Sequence, residues 1–185
     1  MEKRVNKFIP QMAFDAGLDN SLFHDVGAVD KLILQMEENF DLVLIAEQME
    51  RSLVLMADML CWSMDDVVTL RPSNATTSTA LSKEQRQKLR ALNAADVAIY
   101  EHFAKTLRVR VRSFGEHRMA NGLKLLRVRS LLMEELCGGN VTIKADAPQM
   151  CHLMVMPEEQ LTELIRMKQL QRFNNKKSTT QTPVK

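Results

Sequence analysis

The stretch Phe40–Trp62 reads FDLVLIAEQMERSLVLMADMLCW, and the rest of the chain is organised around it. Phe40 to Ala46 is an apolar run too short for an ordinary helix and rich enough in Leu, Val and Ile to suit a strand covered on both faces. From Gln48 the period changes. Met49, Leu53, Met56 and Leu60 recur at steps of four, three and four, which places them on one side of a helix over 48–61. A strand running into a helix is half of a βαβ unit, and in open α/β sheets ligands sit at the carboxyl ends of the strands. Glu47 occupies that end.

Upstream, Phe8, Ile9, Met12, Phe14, Leu18, Leu22 and Phe23 are spaced irregularly around Pro10 and Gly17, which predicts a mostly non-regular lead-in. Val26, Val29, Ile33 and Met36 then step as a helix, capped by Asp25 or the residue before it. Downstream, Val67, Val68 and Leu70 suit a short second strand closed by Pro72, and 72–81 is a small polar loop. Ser82 with Gln85 has the form of a capping box. Leu89, Leu92, Ala95, Ile99, Phe103 and Leu107 carry one long amphipathic helix onward from it to about Ser113. A break near Gly115 precedes a second segment to Leu136, ended by Gly138 and Gly139. Pro157, Glu158 and Glu159 open a last helix whose buried side is Leu161, Leu164 and Ile165. The expected organisation is one α/β, helix-rich domain over 1–172 with a short parallel sheet and long amphipathic helices. A basic, polar and disordered tail is expected over 173–185.

The chain's 185 residues suffice for one core, and 25 Lys and Arg against 23 Asp and Glu give a net charge of only +2, so no global charge points to nucleic acid or a membrane. Cys61, Cys137 and Cys151 show no CxxC spacing, which gives no zinc site; at most one bridge is possible, and Cys137 with Cys151 is the pair expected. The N-terminus has no signal-peptide core, and no run approaches the roughly 18 apolar residues of a membrane span, so a soluble chain without an address is expected. There is no GxxxxGK[ST], GxGxxG, HExxH or GxSxG, and the four histidines have no metal-ligand spacing.

Glu47 is the sharpest catalytic candidate. It has two readings: a general base, or a residue that serves the helix dipole or pairs with Arg51 four positions on. Between Lys105 and Arg129 eight basic residues face the single acid Glu116. Arg108 and Arg112 would share a helix face, and with Arg118 they are candidates for gripping phosphate, sulfate or an acidic sugar. A solvated helix face is the commoner explanation of such a run. Asn74-Ala-Thr76 and Asn140-Val-Thr142 are N-glycosylation sequons in loops, and together with a cystine they point to the secretory pathway.

FDLVLIAEQMERSLVLMADMLCWSMDDVV resembles the galactose 3-O-sulfotransferase family, Golgi enzymes that include galactosylceramide sulfotransferase. In that family a strand ends in Glu and is followed by Ser-Leu-Val-Leu, Leu-Cys-Trp and Asp-Asp-Val, here Glu47, Ser52 to Leu55, Leu60 to Trp62 and Asp65 to Val67. QMAFDAGLDN at 11–20 and LNAADVAIYEHF at 92–103 extend the likeness, which covers roughly 8–118. The resemblance implies a P-loop-type sulfotransferase fold, 3′-phosphoadenylyl sulfate as sulfuryl donor, no metal, and a galactose hydroxyl of a glycolipid or glycoprotein as acceptor. It also implies a lumenal Golgi domain behind a membrane anchor that is absent from this sequence. The family's phosphate loop and its Arg and Ser segment lie upstream of the matched part, and neither is present here. The expectation is therefore a C-terminal portion, by fragmentation or natural truncation, that is inactive alone. Gln48 and Met49 stand where the family tends to have aromatic residues. The alternative is a non-catalytic helical interaction domain.

Overall fold

The architecture comes from a computed structural model, which describes residues 10–70, 81–138 and 143–179. Eight α-helices follow in order among the described residues: α1 (Gln11–Asp15), α2 (Val26–Asn39), α3 (Met49–Met59), α4 (Lys83–Leu92), α5 (Ala94–Phe114), α6 (Glu116–Cys137), α7 (Gln149–Met154) and α8 (Glu158–Thr179). Short 3-10 turns lie at Asn20–Leu22, Ala46–Gln48 and Met64–Val67. The described residues fall into two compact units, one of 10–67 with 81–128 and one of 68–70 with 129–179.

The expected sheet is absent among the described residues. Phe40 (φ −118°, ψ 115°) and Ile45 (φ −112°, ψ 119°) do have strand dihedrals. A strand, however, is made by its ladder as much as by its own φ and ψ. The amides of residues 41–44 find no partner among the described residues, so the run is an extended connector between α2 and α3. The second expected strand is replaced by the Met64–Val67 turn and an irregular 68–70, although Val67 and Val68 are both buried.

The single long helix expected from Ser82 is two helices. The capping box forms: Gln85 N–H donates to Ser82 Oγ (3.1 Å) and Ser82 N–H to Gln85 Oε1 (2.9 Å). Asn93 then interrupts the run, at φ −107° and ψ 34°. Its side-chain amide donates to the Leu89 carbonyl at 2.8 Å, the local competition with helical bonding that makes Asn a poor interior residue. Beyond Asn93 the expected face holds, with Ala95, Ile99, Phe103 and Leu107 all buried. Gly115, at φ +95°, ends α5 and lets α6 start in a new direction, because only glycine takes that conformation without strain.

On α2, Asp25 is the cap, accepting from Ala28 N–H (3.0 Å), and Val29, Leu32 and Ile33 are buried, whereas Val26 is 74% exposed. The face of α3 also differs from its sequence pattern. Ser52, Val54, Leu55 and Ala57 are buried, while Met49 and Leu60 are each more than 40% exposed. The cause is a close helix approach: a Cβ on Gly122 of α6 would lie 2.6 Å from Val54 Cγ1, so Val54 faces the neighbouring backbone. A bond between distant parts of the sequence fixes the lead-in, where the Asp96 carboxylate of α5 accepts from the first-turn amides Met12 N–H (3.2 Å) and Ala13 N–H (2.9 Å) of α1.

In the second unit Cys137 and Cys151 are joined by a disulfide, with a Cα–Cα distance of 5.4 Å. The chain between them is also held by Lys144, whose N–H donates to the Cys137 carbonyl and whose Nζ donates to the Glu135 carbonyl, both at 3.0 Å. On α8 the expected buried side is only partly covered: Leu161 and Leu164 are half-buried and Ile165 is 49% exposed. The helix runs to Thr179, past residue 173 where a disordered tail is expected. The Glu, Gln, Leu, Lys and Arg that dominate 158–172 are strong helix formers. Asn74, Gly139 and Asn140 lie outside the described residues.

Gly122→Ala is expected to destabilise the protein by about 1–3 kcal/mol in urea unfolding, because the buried, β-branched Val54 cannot rotate out of the way. Cys61 holds a left-handed φ of +54° at the end of α3, where Trp62 N–H donates to the Ala57 carbonyl (2.8 Å). Glycine is the usual residue there, so Cys61→Gly is expected to raise stability by roughly 0.5–1 kcal/mol in the same assay.

Candidate functional site

Glu47 sits in the Ala46–Gln48 turn, at the corner between the extended segment and α3. Backbone bonds fix that corner from both sides. Ile45 N–H donates to the Oγ of Ser52 at 3.1 Å, and Gln48 N–H donates to the Ile45 carbonyl at 2.9 Å. Ile45 and Ser52 are both buried, Ser52 completely. The hydroxyl one turn into α3 thus satisfies the last amide of the extended run and sets where Glu47 projects.

The Glu47 side chain is exposed and has no hydrogen-bond or ion-pair partner among the described residues. The expected pairing with Arg51 is not formed; Arg51 Nη1 instead faces Gln48 Oε1 at 3.4 Å. Gln48, the N-cap of α3, makes no side-chain capping bond. Glu47 stands on the lip of two depressions. One is a groove of about 1080 Å³ walled by the extended segment, by Met12 and by Ile99, Tyr100 and Phe103 of α5. The other, of about 450 Å³, is lined by Gln48, Arg51, Leu123 and Arg127. A carboxylate so placed is free to accept a hydrogen bond or a proton from a bound hydroxyl.

The candidate arginines are divided between two helices. Arg108 and Arg112 lie one turn apart on α5, both exposed. Arg118, on α6, donates to Asp58 Oδ1 at 2.8 Å and stacks over Phe114, 4.2 Å from the ring centre. Arg127 is held by Glu50, through Nε (3.0 Å) and Nη2 (2.6 Å), and these bonds raise the guanidinium pKa above its already high value. His102 Nε2 contacts Glu37 Oε1 at 2.7 Å and links α5 to α2. No group of three or more His, Cys, Asp or Glu among the described residues is placed to hold a metal. The roles of Ser52 and Asp96 as acceptors for the amides of Ile45 and of α1 were not read from the sequence. The available signal was a hydroxyl embedded in the apolar run Ser-Leu-Val-Leu, and an acid in the first turn of the helix carrying Ala95, Ile99, Phe103 and Leu107.

The class of protein follows from comparison with known sequences. A model of the galactose-3-O-sulfotransferase family matches residues 3–157. The chain belongs to that family. It is 36% identical to bovine galactosylceramide sulfotransferase over 126 residues, 67% of this chain and 30% of the relative. It is 38% identical to human galactose-3-O-sulfotransferase 2 over 129 residues, 68% of this chain and 32% of the relative. Bovine galactose-3-O-sulfotransferase 3 is 34% identical over 151 residues, 79% of this chain and 35% of the relative. The chain thus spans about a third of the length of the curated relatives it matches. No solved structure matches.

Ser52→Ala is expected to cost about 1–3 kcal/mol in urea unfolding, since it leaves the buried Ile45 N–H without an acceptor. Glu47→Gln, which breaks no bond within the described residues, is expected to change stability by less than about 0.5 kcal/mol. A large loss for Glu47→Gln would restore the helix-supporting role.

Proposed function

We propose that this chain is the acceptor-side portion of a galactose 3-O-sulfotransferase. In its full-length form the enzyme would transfer sulfate from 3′-phosphoadenylyl sulfate to a galactose hydroxyl of a glycolipid or glycoprotein. The observation that carries the reading is Glu47, a carboxylate with no partner among the described residues, on a hydrogen-bonded corner that lines a groove of about 1080 Å³. Glu47 accepts the proton of the galactose hydroxyl as its oxygen becomes the nucleophile, which is general-base catalysis.

The residues present do not cradle the donor. The sequence has no phosphate-gripping glycine loop, so no step is assigned to donor binding and the chain alone is inactive. Residues 40–46 pair as a strand of a parallel sheet with sequence outside the described residues. The support is the extended φ and ψ of Phe40 and Ile45 and the lack of a partner for the amides of 41–44 among the described residues, which leaves them available to a ladder. The setting is the Golgi lumen. The Cys137–Cys151 disulfide fits an oxidising compartment, and glycans on Asn74 and Asn140 fit the same location. No helix among the described residues is long and apolar enough to cross a membrane, so attachment depends on an anchor outside them.

One observation favours a second reading, a non-catalytic helical interaction domain. Leu132 and Leu136 lie one turn apart on α6, 51% and 48% exposed.

The test joins the chain in frame to the part of a curated relative that it does not match. The expected result is sulfate transfer from labelled donor to a galactoside, with Glu47→Gln lowering kcat at least about a hundredfold. Transfer by the 185 residues alone would refute the missing donor site, and an undiminished kcat in Glu47→Gln would refute the base. A folded chimera that never transfers sulfate favours the interaction domain.

A further inference from the structure

Next to the Glu47 depression is another of about 420 Å³, lined by Arg51, Val111, Arg112, Glu116, Met119 and Leu123. Arg51 and Leu123 line both, so the two adjoin as a trough, with Glu47 and Glu50 lining one part, Arg112 and Glu116 the other, and Arg51 both. The arginines come from different helices and meet only in the fold. Neither has a carboxylate partner among the described residues, in contrast to Arg118 and Arg127, which Asp58 and Glu50 hold. Glu116 follows Arg112 by four positions, the spacing that pairs side chains on a continuous helix. Gly115 breaks the helix between them at φ +95°, and the pair does not form.

The trough therefore offers three chemically different parts. Arg51 and Arg112 can grip an oxyanion, and guanidinium forks do this bidentately. Val111, Met119 and Leu123 give an apolar middle, suited to the C–H face of a sugar ring. Glu47, which lines the part without Arg112, accepts from hydroxyls. We infer that the trough binds an anionic galactoside, its sulfate or carboxylate between Arg51 and Arg112 and its ring hydroxyls toward Glu47. The sugar in this inference rests on the sulfotransferase reading above; the anionic group rests on the trough alone.

The test is calorimetric titration of the whole chain with galactose 6-sulfate, galactose and inorganic sulfate. Galactose 6-sulfate is expected to bind at least about tenfold more tightly than either of the others, and Arg51→Gln or Arg112→Gln to abolish that preference, the range for losing a charge-assisted hydrogen bond. Arg86→Gln on α4 removes the same charge elsewhere and is expected to change nothing. Melting curves confirm that each variant is folded. Equal binding of inorganic sulfate and sugar sulfate, or full affinity in the two arginine variants, overturns the inference. Sulfate transfer is not measured, so the outcomes separate: selective binding of galactose 6-sulfate by a chain whose chimera never transfers sulfate would sink the transferase reading only.

Discussion

The hydrogen bond from Ile45 N–H to Ser52 Oγ governs the part of the molecule that matters most for function. It is made in a fully dry place, with Ser52 at 0% exposure. A buried amide without an acceptor is costly, so the chain can leave the extended segment and enter α3 only along a path that brings this hydroxyl to that amide. Once that path is set, residues 46–48 have to turn within one tight 3-10 bend. Glu47 at the middle of the bend then points outward, because the inward position is already filled by Ile45 and Ser52.

The rest of the first unit keeps this corner in place by apolar contact more than by charge. Val54 against Gly122 brings α3 and α6 to backbone distance, and Ile99 and Phe103 of α5 form the inner wall of the groove. The ion pairs that cross between elements, Asp58 with Arg118 and Glu50 with Arg127, and the hydrogen bond between Glu37 and His102 are substantially exposed, and exposed ion pairs contribute modestly and are screened by salt. Their effect is on the trough. They neutralise some guanidinium groups and leave others free. Asp96 acts differently, since two amides of α1 depend on it for acceptors and it ties the start of the chain to α5.

The elements that were legible in the sequence are those whose reading needs only local information. The face of α5 is repeated over four turns, and the Ser82 and Gln85 cap is decided within four residues; both appear as read. Where a second segment decides the outcome, the sequence misleads. Phe40 to Ala46 has the composition of a strand, and Phe40 and Ile45 its dihedrals, but there is no ladder among the described residues, and composition cannot supply a partner. The Met49, Leu53, Met56 and Leu60 pattern is a real helical stripe, yet Ser52 and Val54 set the rotation of α3 because Ile45 and Gly122 require them there. Asn93 shows the opposite failure, in which one residue's side chain outcompetes a good amphipathic period. The corner carrying Glu47 could be located from sequence, whereas its freedom from Arg51 could not.

The arginines make the same point about electrostatics. Counted along the sequence, the run from Lys105 to Arg129 is an undivided positive stretch, and its members look interchangeable. In three dimensions each guanidinium is defined by what the neighbouring helix presents to it. Asp58 and Glu50 project from α3 toward α6 and engage Arg118 and Arg127. Gly115 breaks the helix between Arg112 and Glu116, which form no ion pair although they line the same depression, and the Arg51 guanidinium bonds to the neutral Gln48 among the described residues. The guanidinium groups left without a carboxylate partner among the described residues therefore include a pair, Arg51 and Arg112, that lines one depression with Glu116. Arg51, which lies outside the basic run altogether, becomes part of that pair, while Arg118, which lies inside, does not. A charge run marks how many cations are available; the acids on the packing partner determine which of them can still hold a ligand.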